Sequence, residues 1–294
     1  MNLNDRLSSY KSKIDSELER QLTLESNWPP QIGEAMIYSV LNGGKRLRPI
    51  LAIVTGEMYG EKLENLLPVC APLEFIQSFT LIHDDLPCMD DAAFRRGKPS
   101  VHIAYGEALA VLTGDALLNL AFGAIAREGN KRFANESILK VIIELSEALG
   151  VDGVMGGQVL DLNPSAFKDD LKGLFRMHQM KTAKFFKASL RMGAILAKAP
   201  EKDLEKLTSY SMEFGLVFQI TDDILDATGT IEEVGKDVER DANLDRMNYV
   251  LAYGLDGARK EAEKASDRAK QALQSLPNTD FLKTLVEFLL ERKK

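Results

Sequence analysis

Two short runs of aspartate are the residues best placed to do chemistry in this sequence. The first lies in LIHDDLPCMDDAAFRRG (81–97) and holds Asp84, Asp85, Asp90 and Asp91. The second lies in FQITDDILDATG (218–229) and holds Asp222, Asp223 and Asp226. Each follows an apolar segment of helical periodicity. Asp222 and Asp226 are four residues apart, so on a helix they share a face and repel one another. The apolar residues before them imply partial burial, which raises that cost, and a divalent cation would relieve it. In the first run, Asp84 and Asp90 would not share a face of a regular helix, because six residues turn it by ~600°. Pro87 must end or distort that helix, and the distorted turn can swing Asp90 back toward Asp84. Carboxylates without His or Cys suit a hard cation, and Mg²⁺ completes its shell with waters and substrate phosphate. A solvated acidic helix end is the ordinary alternative for one such run; a pair of runs, with Arg95 and Arg96 beside the first, points to metal.

The cations that would complement such a site are grouped elsewhere. Asn42-Gly43-Gly44-Lys45-Arg46-Leu47-Arg48-Pro49 precedes the apolar run Ile50–Val54. Glycines here let a backbone approach an anion, and a following helix start offers free N–H groups. Lys45 and Arg48, three apart, can face one ligand. The pattern is no Walker loop, so a nucleotide is not implied. Arg95 and Arg96 form a second guanidinium pair able to hold phosphate bidentately. Two acidic metal sites beside a separate cationic site suit a reaction between two diphosphates, one held through metals and the other through Lys and Arg.

The elements that must position these groups read as helices. The expected segments are 3–25, 64–86, 100–128, 135–150 (Asn135 as N-cap, Gly150 as stop), 168–198, 203–226, 256–275 and a C-terminal helix through Leu282–Leu290. Sustained strand alternation, repeats and linkers are absent. With 294 residues, 45% hydrophobic, the chain is expected to form one all-α domain over 1–294, a large helical bundle with its site between facing helices. Net charge of −7 argues against nucleic acid as partner. Cys70 and Cys88 suit a reducing compartment. No apolar run reaches the ~18 residues of a membrane span, and the polar N-terminus is unlike a secretory signal. A cytoplasmic protein is expected.

These motifs resemble those of the trans-isoprenyl diphosphate synthases, most closely the bacterial farnesyl diphosphate synthases. The resemblance rests on GGKRLRP (43–49), LIHDDLPCMDD (81–91), RRGKP (95–99), GDALL (114–118), GGQVLDL (156–162), HQMKTA (178–183) and FQITDDILD (218–226), in family order over most of the chain. It implies an all-helical bundle around a deep central cavity, a homodimer, and three Mg²⁺ per site. Asp84, Asp90 and Asp222 would ligate the metals, with Asp85, Asp223 and Asp226 completing the motifs. Arg95, Lys181 and Lys236 would hold the allylic diphosphate. Lys45, Arg48 and Arg96, beside Gly44 and with Gln77, would hold isopentenyl diphosphate. Lys181, Thr182 and Gln219 would stabilise the allylic cation. Phe79, five residues before the first aspartate, would form the floor that stops growth at farnesyl length.

The chain departs from the family after the second aspartate run. Glu239 replaces a usual Gly, Arg246 a Lys, Asn248 a Thr and Val250 a Pro, which leaves the geometry of a closing loop, and Arg246 as a phosphate ligand, open. His83, His102 and His178 stand as either chemical or structural residues. Three rivals remain: a geranylgeranyl diphosphate synthase, against which Phe79 argues; a terpene cyclase, which needs no second diphosphate site; and a non-catalytic accessory subunit, which commonly loses aspartates that this chain keeps.

Overall fold

The fold is taken from a computed structural model that describes residues 2–23, 28–163, 171–228 and 248–292. It is all-helical apart from one short ribbon. The order is α1 (Leu3–Thr23), α2 (Pro30–Val40), α3 (Leu47–Met58), α4 (Leu63–Cys70), α5 (Leu73–Asp84), a two-strand ribbon of β1 (Phe94–Arg95) and β2 (Lys98–Pro99), α6 (Val101–Tyr105), α7 (Glu107–Asn130), α8 (Asn135–Leu149) and α9 (Val154–Asp161). Then come α10 (Leu171–His178), a π-turn (Gln179–Ala183), α11 (Lys184–Leu196), α12 (Glu201–Thr228), α13 (Tyr249–Ala272) and α14 (Asp280–Glu291).

Within the described residues, which exclude 24 and 25, the expected segments are present, but Asn135 is the first residue of α8 and makes no capping bond, Ala134 standing at the cap, and three segments are broken where the chemistry of the chain demands it. The 64–86 segment divides into α4 and α5 at Ala71-Pro72, because Pro72 cannot supply a helical N–H. The 100–128 segment divides at Gly106 into α6 and α7. In 168–198, residues 164–170 lie outside the described residues, and the remainder carries the π-turn at Gln179–Ala183. A π-turn adds a residue to the helical repeat and re-aims the side chains on it.

α11 is the centre of the bundle. Ten of its residues are buried, from Phe185 to Leu196, and it packs against α3, α8 and α12. Thr55 of α3 donates its hydroxyl to Leu190 O across that contact at 2.8 Å. Phe186 meets Phe214 edge-on with centroids 5.1 Å apart, an arrangement in which the positive ring edge faces the negative face of its neighbour. A contiguous set of buried apolar side chains runs from Ile14 in α1 to Leu289 in α14. α12 lies along α13, and α5 lies along α7.

The expectation that no stretch could span a membrane needs correction. Leu63–Asp84 and Glu107–Asn130 are long and apolar enough by length and composition. Small residues and scattered Thr, Gln and Asp hide this from a search for unbroken apolar runs. The first stretch is 72% buried inside the bundle and serves its core; the second is 39% buried and keeps an apolar outer side.

Candidate active site

Pro87 sets the shape of the first aspartate run. α5 ends at Asp84, and the chain folds back on itself, with Asp90 N donating to Asp84 O at 2.9 Å and Ala92 N to Asp85 O at 3.2 Å. Asp90 is thereby returned toward Asp84, as the break at Pro87 requires. Burial pushes the Asp84 carboxyl up to about 6; nearby Lys181 opposes the rise and Asp90 adds to it. Asp85 has a different setting. Its buried carboxylate accepts from Arg95 Nε at 3.1 Å to each oxygen and is paired with Arg95 Nη2. The carboxylate of Asp85 is thus engaged by Arg95 and shapes the ribbon. On Arg95, burial works against the charge, but its bonds to Asp85 outweigh that and raise its pKa.

The π-turn carries Lys181 and Thr182 toward both aspartate runs. Lys181 Nζ pairs with Asp161 of α9 at 2.6 Å. Burial disfavours the ammonium, yet Asp161, Asp84 and Asp90 overcome it and raise its pKa. Thr182 Oγ1 donates to Gln219 Oε1 at 3.2 Å, and Gln219 Nε2 donates to Asp223 at 3.0 Å. Asp223 also accepts from Tyr249 N at 2.9 Å. Lys181 thus lies within electrostatic reach of Asp84 and Asp90, and its neighbour Thr182 is linked through Gln219 to Asp223 of the second aspartate run. Asp222 and Asp226 are half-buried on the last turns of α12.

The basic loop lies against the same end of α12. Arg46, in the left-handed region at φ 54°, turns into the core and donates to Asp15 at 2.7 Å, Glu74 at 2.9 Å and Val40 O at 2.7 Å. Lys45 and Arg48 lie within electrostatic reach of Asp222. Arg48 lies over the rings of Phe185 and Phe186, 4.6 and 4.5 Å from their centroids. Burial lowers its pKa to about 10, with Glu74 and Asp222 opposing, so it stays charged near neutral pH. Burial also lowers Lys45, helped by Arg292 and opposed by Asp222. Gly44 has φ 112°, which a side chain would not tolerate, and the Arg96 guanidinium lies where its Cβ would stand. Arg96 Nη1 donates to Gly43 O at 2.5 Å, tying the ribbon to the basic loop. Gln77 presents a buried Oε1 with no protein partner, and Phe79 is buried one turn before the aspartates.

Lys236, Glu239 and Arg246 lie outside the described residues. Asn248 and Val250 are described: Asn248 caps α13 by accepting from Leu251 N at 2.9 Å, a task a Thr hydroxyl also performs. Among the described residues, no three His, Cys, Asp or Glu side chains come together closely enough to hold a metal by themselves. The donors at the two aspartate runs are carboxylate oxygens, a set that suits a hard cation taking its remaining ligands from phosphate and water. His178 stacks on Tyr249 with centroids 5.5 Å apart, and burial lowers its pKa to about 3, so it is neutral. His102 is buried.

Two participants escaped the sequence reading. Asp161, within GGQVLDL, is the direct partner of Lys181. Arg292, at the end of α14, pairs with Asp222, donates to Phe218 O at 3.2 Å and lies over the Phe218 ring at 4.6 Å. The basic run that closes the sequence was the available signal for the second. A separate cavity of about 620 Å³ opens between α8 and the ends of α11 and α12, lined by Lys140, Glu144 and Arg191 among others; it includes none of the motif residues.

Comparison with known proteins gives the family. The sequence model described as "Polyprenyl synthetase" matches residues 29–286. A farnesyl diphosphate synthase of Bacillus subtilis is 37% identical over 294 residues, covering 99% of each chain. A geranylgeranyl diphosphate synthase of Cyanophora paradoxa is likewise 37% identical, over 99% of this chain and 97% of its own. The crystal structure of an FPP/GFPP synthase from Zymomonas mobilis superposes with a TM-score of 0.86 at 33% identity, over 98% of this chain and 99% of that one. The chain belongs to the polyprenyl synthetase family of prenyltransferases.

Proposed function

We propose that this prenyltransferase condenses isopentenyl diphosphate head-to-tail with dimethylallyl and then geranyl diphosphate, and releases farnesyl diphosphate. The observation that carries this reading is the position of the π-turn between the two aspartate runs, Lys181 within electrostatic reach of Asp84 and Asp90 and Thr182 linked through Gln219 to Asp223, with Lys45 and Arg48 within reach of Asp222. Asp84, Asp90, Asp222 and Asp226 would hold three Mg²⁺, which would supply electrostatic stabilisation to the departing diphosphate.

The chain's own residues do the rest. Lys181 and Arg95 hold the allylic diphosphate from the side of the first aspartate run, with Lys236 as a further candidate. Lys45, Arg48, Arg96 and Gln77 hold isopentenyl diphosphate. As the C1–O bond of the allylic substrate breaks, Lys181, Thr182 and Gln219 would stabilise the developing cation. The isopentenyl double bond attacks C1, and the proton lost from the new cation passes to the departed diphosphate. The cation must be kept from water, so the reaction requires an enclosed cavity.

Phe79 favours farnesyl over geranylgeranyl diphosphate, since a bulky ring at that place shortens the cavity; both products are represented among the relatives' names. The accessory-subunit reading is countered by the retention of both aspartate runs. Purified protein alone, given Mg²⁺, isopentenyl diphosphate and geranyl diphosphate, should form a fifteen-carbon product, and EDTA should abolish turnover. Chromatography of the dephosphorylated products reads the length. Phe79→Ala should lengthen the product; an unchanged length would remove the floor assignment, and no product from wild type alone would favour the accessory subunit.

A further inference from the structure

We infer that His83 is a positioning residue for product length, holding Phe79 in place from a notch in α7. The inference rests on the reading of Phe79 as the cavity floor and adds what fixes that floor. Phe79 and His83 are four residues apart on α5, so they share a face. Their rings meet edge-to-face, with centroids 4.9 Å apart and planes at 74°. On its other side His83 is fastened to α7: Nε2 lies 3.2 Å from Val111 O. A carbonyl only accepts, so Nε2 carries the hydrogen and the tautomer is fixed. Asp115 Oδ1 stands 3.9 Å from the same nitrogen.

The imidazole can lie so close to α7 because residue 114 is glycine. A Cβ there would stand 2.2 Å from His83 Nε2 and 2.5 Å from Cδ2, nearer than real atoms approach. Gly114 of the GDALL motif thus bears on the site through His83. With α7 behind it and a directed hydrogen bond to hold it, the His83 ring denies Phe79 the room to rotate away from a lengthening prenyl chain. Remove the ring and Phe79 can yield; crowd it from behind and the floor rises.

The test is product length, which a merely structural loss would not alter. Wild type, Phe79→Ala, His83→Ala, His83→Gln and Gly114→Ala are each incubated with Mg²⁺, geranyl diphosphate and excess isopentenyl diphosphate. The ratio of fifteen- to twenty-carbon product is read at low conversion. His83→Ala should raise the twenty-carbon share severalfold with Phe79 intact. His83→Gln, which keeps a donor toward Val111 O but loses the ring, should give a twenty-carbon share between those of wild type and His83→Ala. Gly114→Ala, tested from dimethylallyl diphosphate, should move product toward ten carbons. If Phe79→Ala lengthens the product and His83→Ala does not, the inference fails while the floor reading stands. If Phe79→Ala changes nothing, the floor reading falls first. Should His83→Ala form no product, an unaltered length from Gly114→Ala overturns the inference.

Discussion

Asp84 is held in the folded protein against its own charge. Burial lifts its pKa from an ordinary 3.8 to about 6 despite the attraction of Lys181. By linkage, a rise of this size corresponds to a penalty of about 3 kcal/mol on the ionised form at neutral pH. The sign follows from proton binding. The folded state binds the proton more tightly than the unfolded one, so the associated stability is complete below about pH 4 and is lost as pH rises through about 6. Asp84→Asn removes the ionised form and should raise the melting temperature of metal-free protein at pH 7.5, an advantage that vanishes below pH 4. The same substitution should lower turnover by at least ~100-fold, in keeping with loss of one electrostatic group in a closed site. Thermal unfolding with and without Mg²⁺ checks both halves: the cation should stabilise wild type more than Asp84→Asn, which keeps Asp90, Asp222 and Asp226. An aspartamide variant that melts lower than wild type at pH 7.5 without metal would show that Asp84 is not under this penalty.

At the level of elements, one buried arginine decides where the basic loop can go. Arg46 connects α1 through Asp15, α2 through Val40 O and α5 through Glu74, and its side chain is 1% exposed. Glu74→Ala would leave that guanidinium charge buried with one partner lost, which costs about 3–5 kcal/mol. Its expected kinetic mark is a higher KM for isopentenyl diphosphate with a smaller effect on geranyl diphosphate, because the loop that Arg46 anchors presents Lys45 and Arg48. Urea unfolding and paired KM measurements check it, and equal rises in both KM values would argue for general loosening. The same loop shows what a sequence can reveal. Its spacing offers Lys45 and Arg48 to one ligand, as proposed above, and the proline in LIHDDLPCMDD brought Asp90 back to Asp84, a local consequence of backbone geometry. The destination of Asp85 was not legible, because it depends on the ribbon that returns Arg95 from ten residues away. Nor was the π-turn at Gln179–Ala183, which gives no periodic signal and yet aims Lys181 and Thr182. Arg292 reaches Asp222 only because α14 packs against α12, a tertiary fact.

On the scale of the whole molecule, α7 is the element whose two sides disagree. Ala110, Thr113, Gly114, Leu117 and Ala121 are buried on one side, and α7 packs there on α5. On the other side Leu112 is 56% exposed, with Val111 and Ile103 of α6 also uncovered. Apolar residues gathered on one outer helix side mark an interaction surface more often than free surface. Lipid is a poor fit, because Glu107, Asp115 and Arg127 are exposed on the same helix and would enter the bilayer with it. A second copy of the chain suits it better: a two-fold arrangement lets α7 meet its own equivalent, with the apolar positions opposed and the charges at the rim. The protein is therefore expected to sediment as a dimer at micromolar concentration. Leu112→Asp should shift it toward monomer, since two carboxylates would then be forced together across the axis. The stability of each subunit should change little, because position 112 contributes nothing to the core. A wild-type monomer at those concentrations, or a dimer indifferent to Leu112→Asp, would place the interface elsewhere. The result also bears on the site, because Val111, which holds His83, is neighbour to Leu112: a dimer seated on this side of α7 would stiffen the notch behind Phe79. In that case Leu112→Asp should broaden the product length even where catalytic turnover persists.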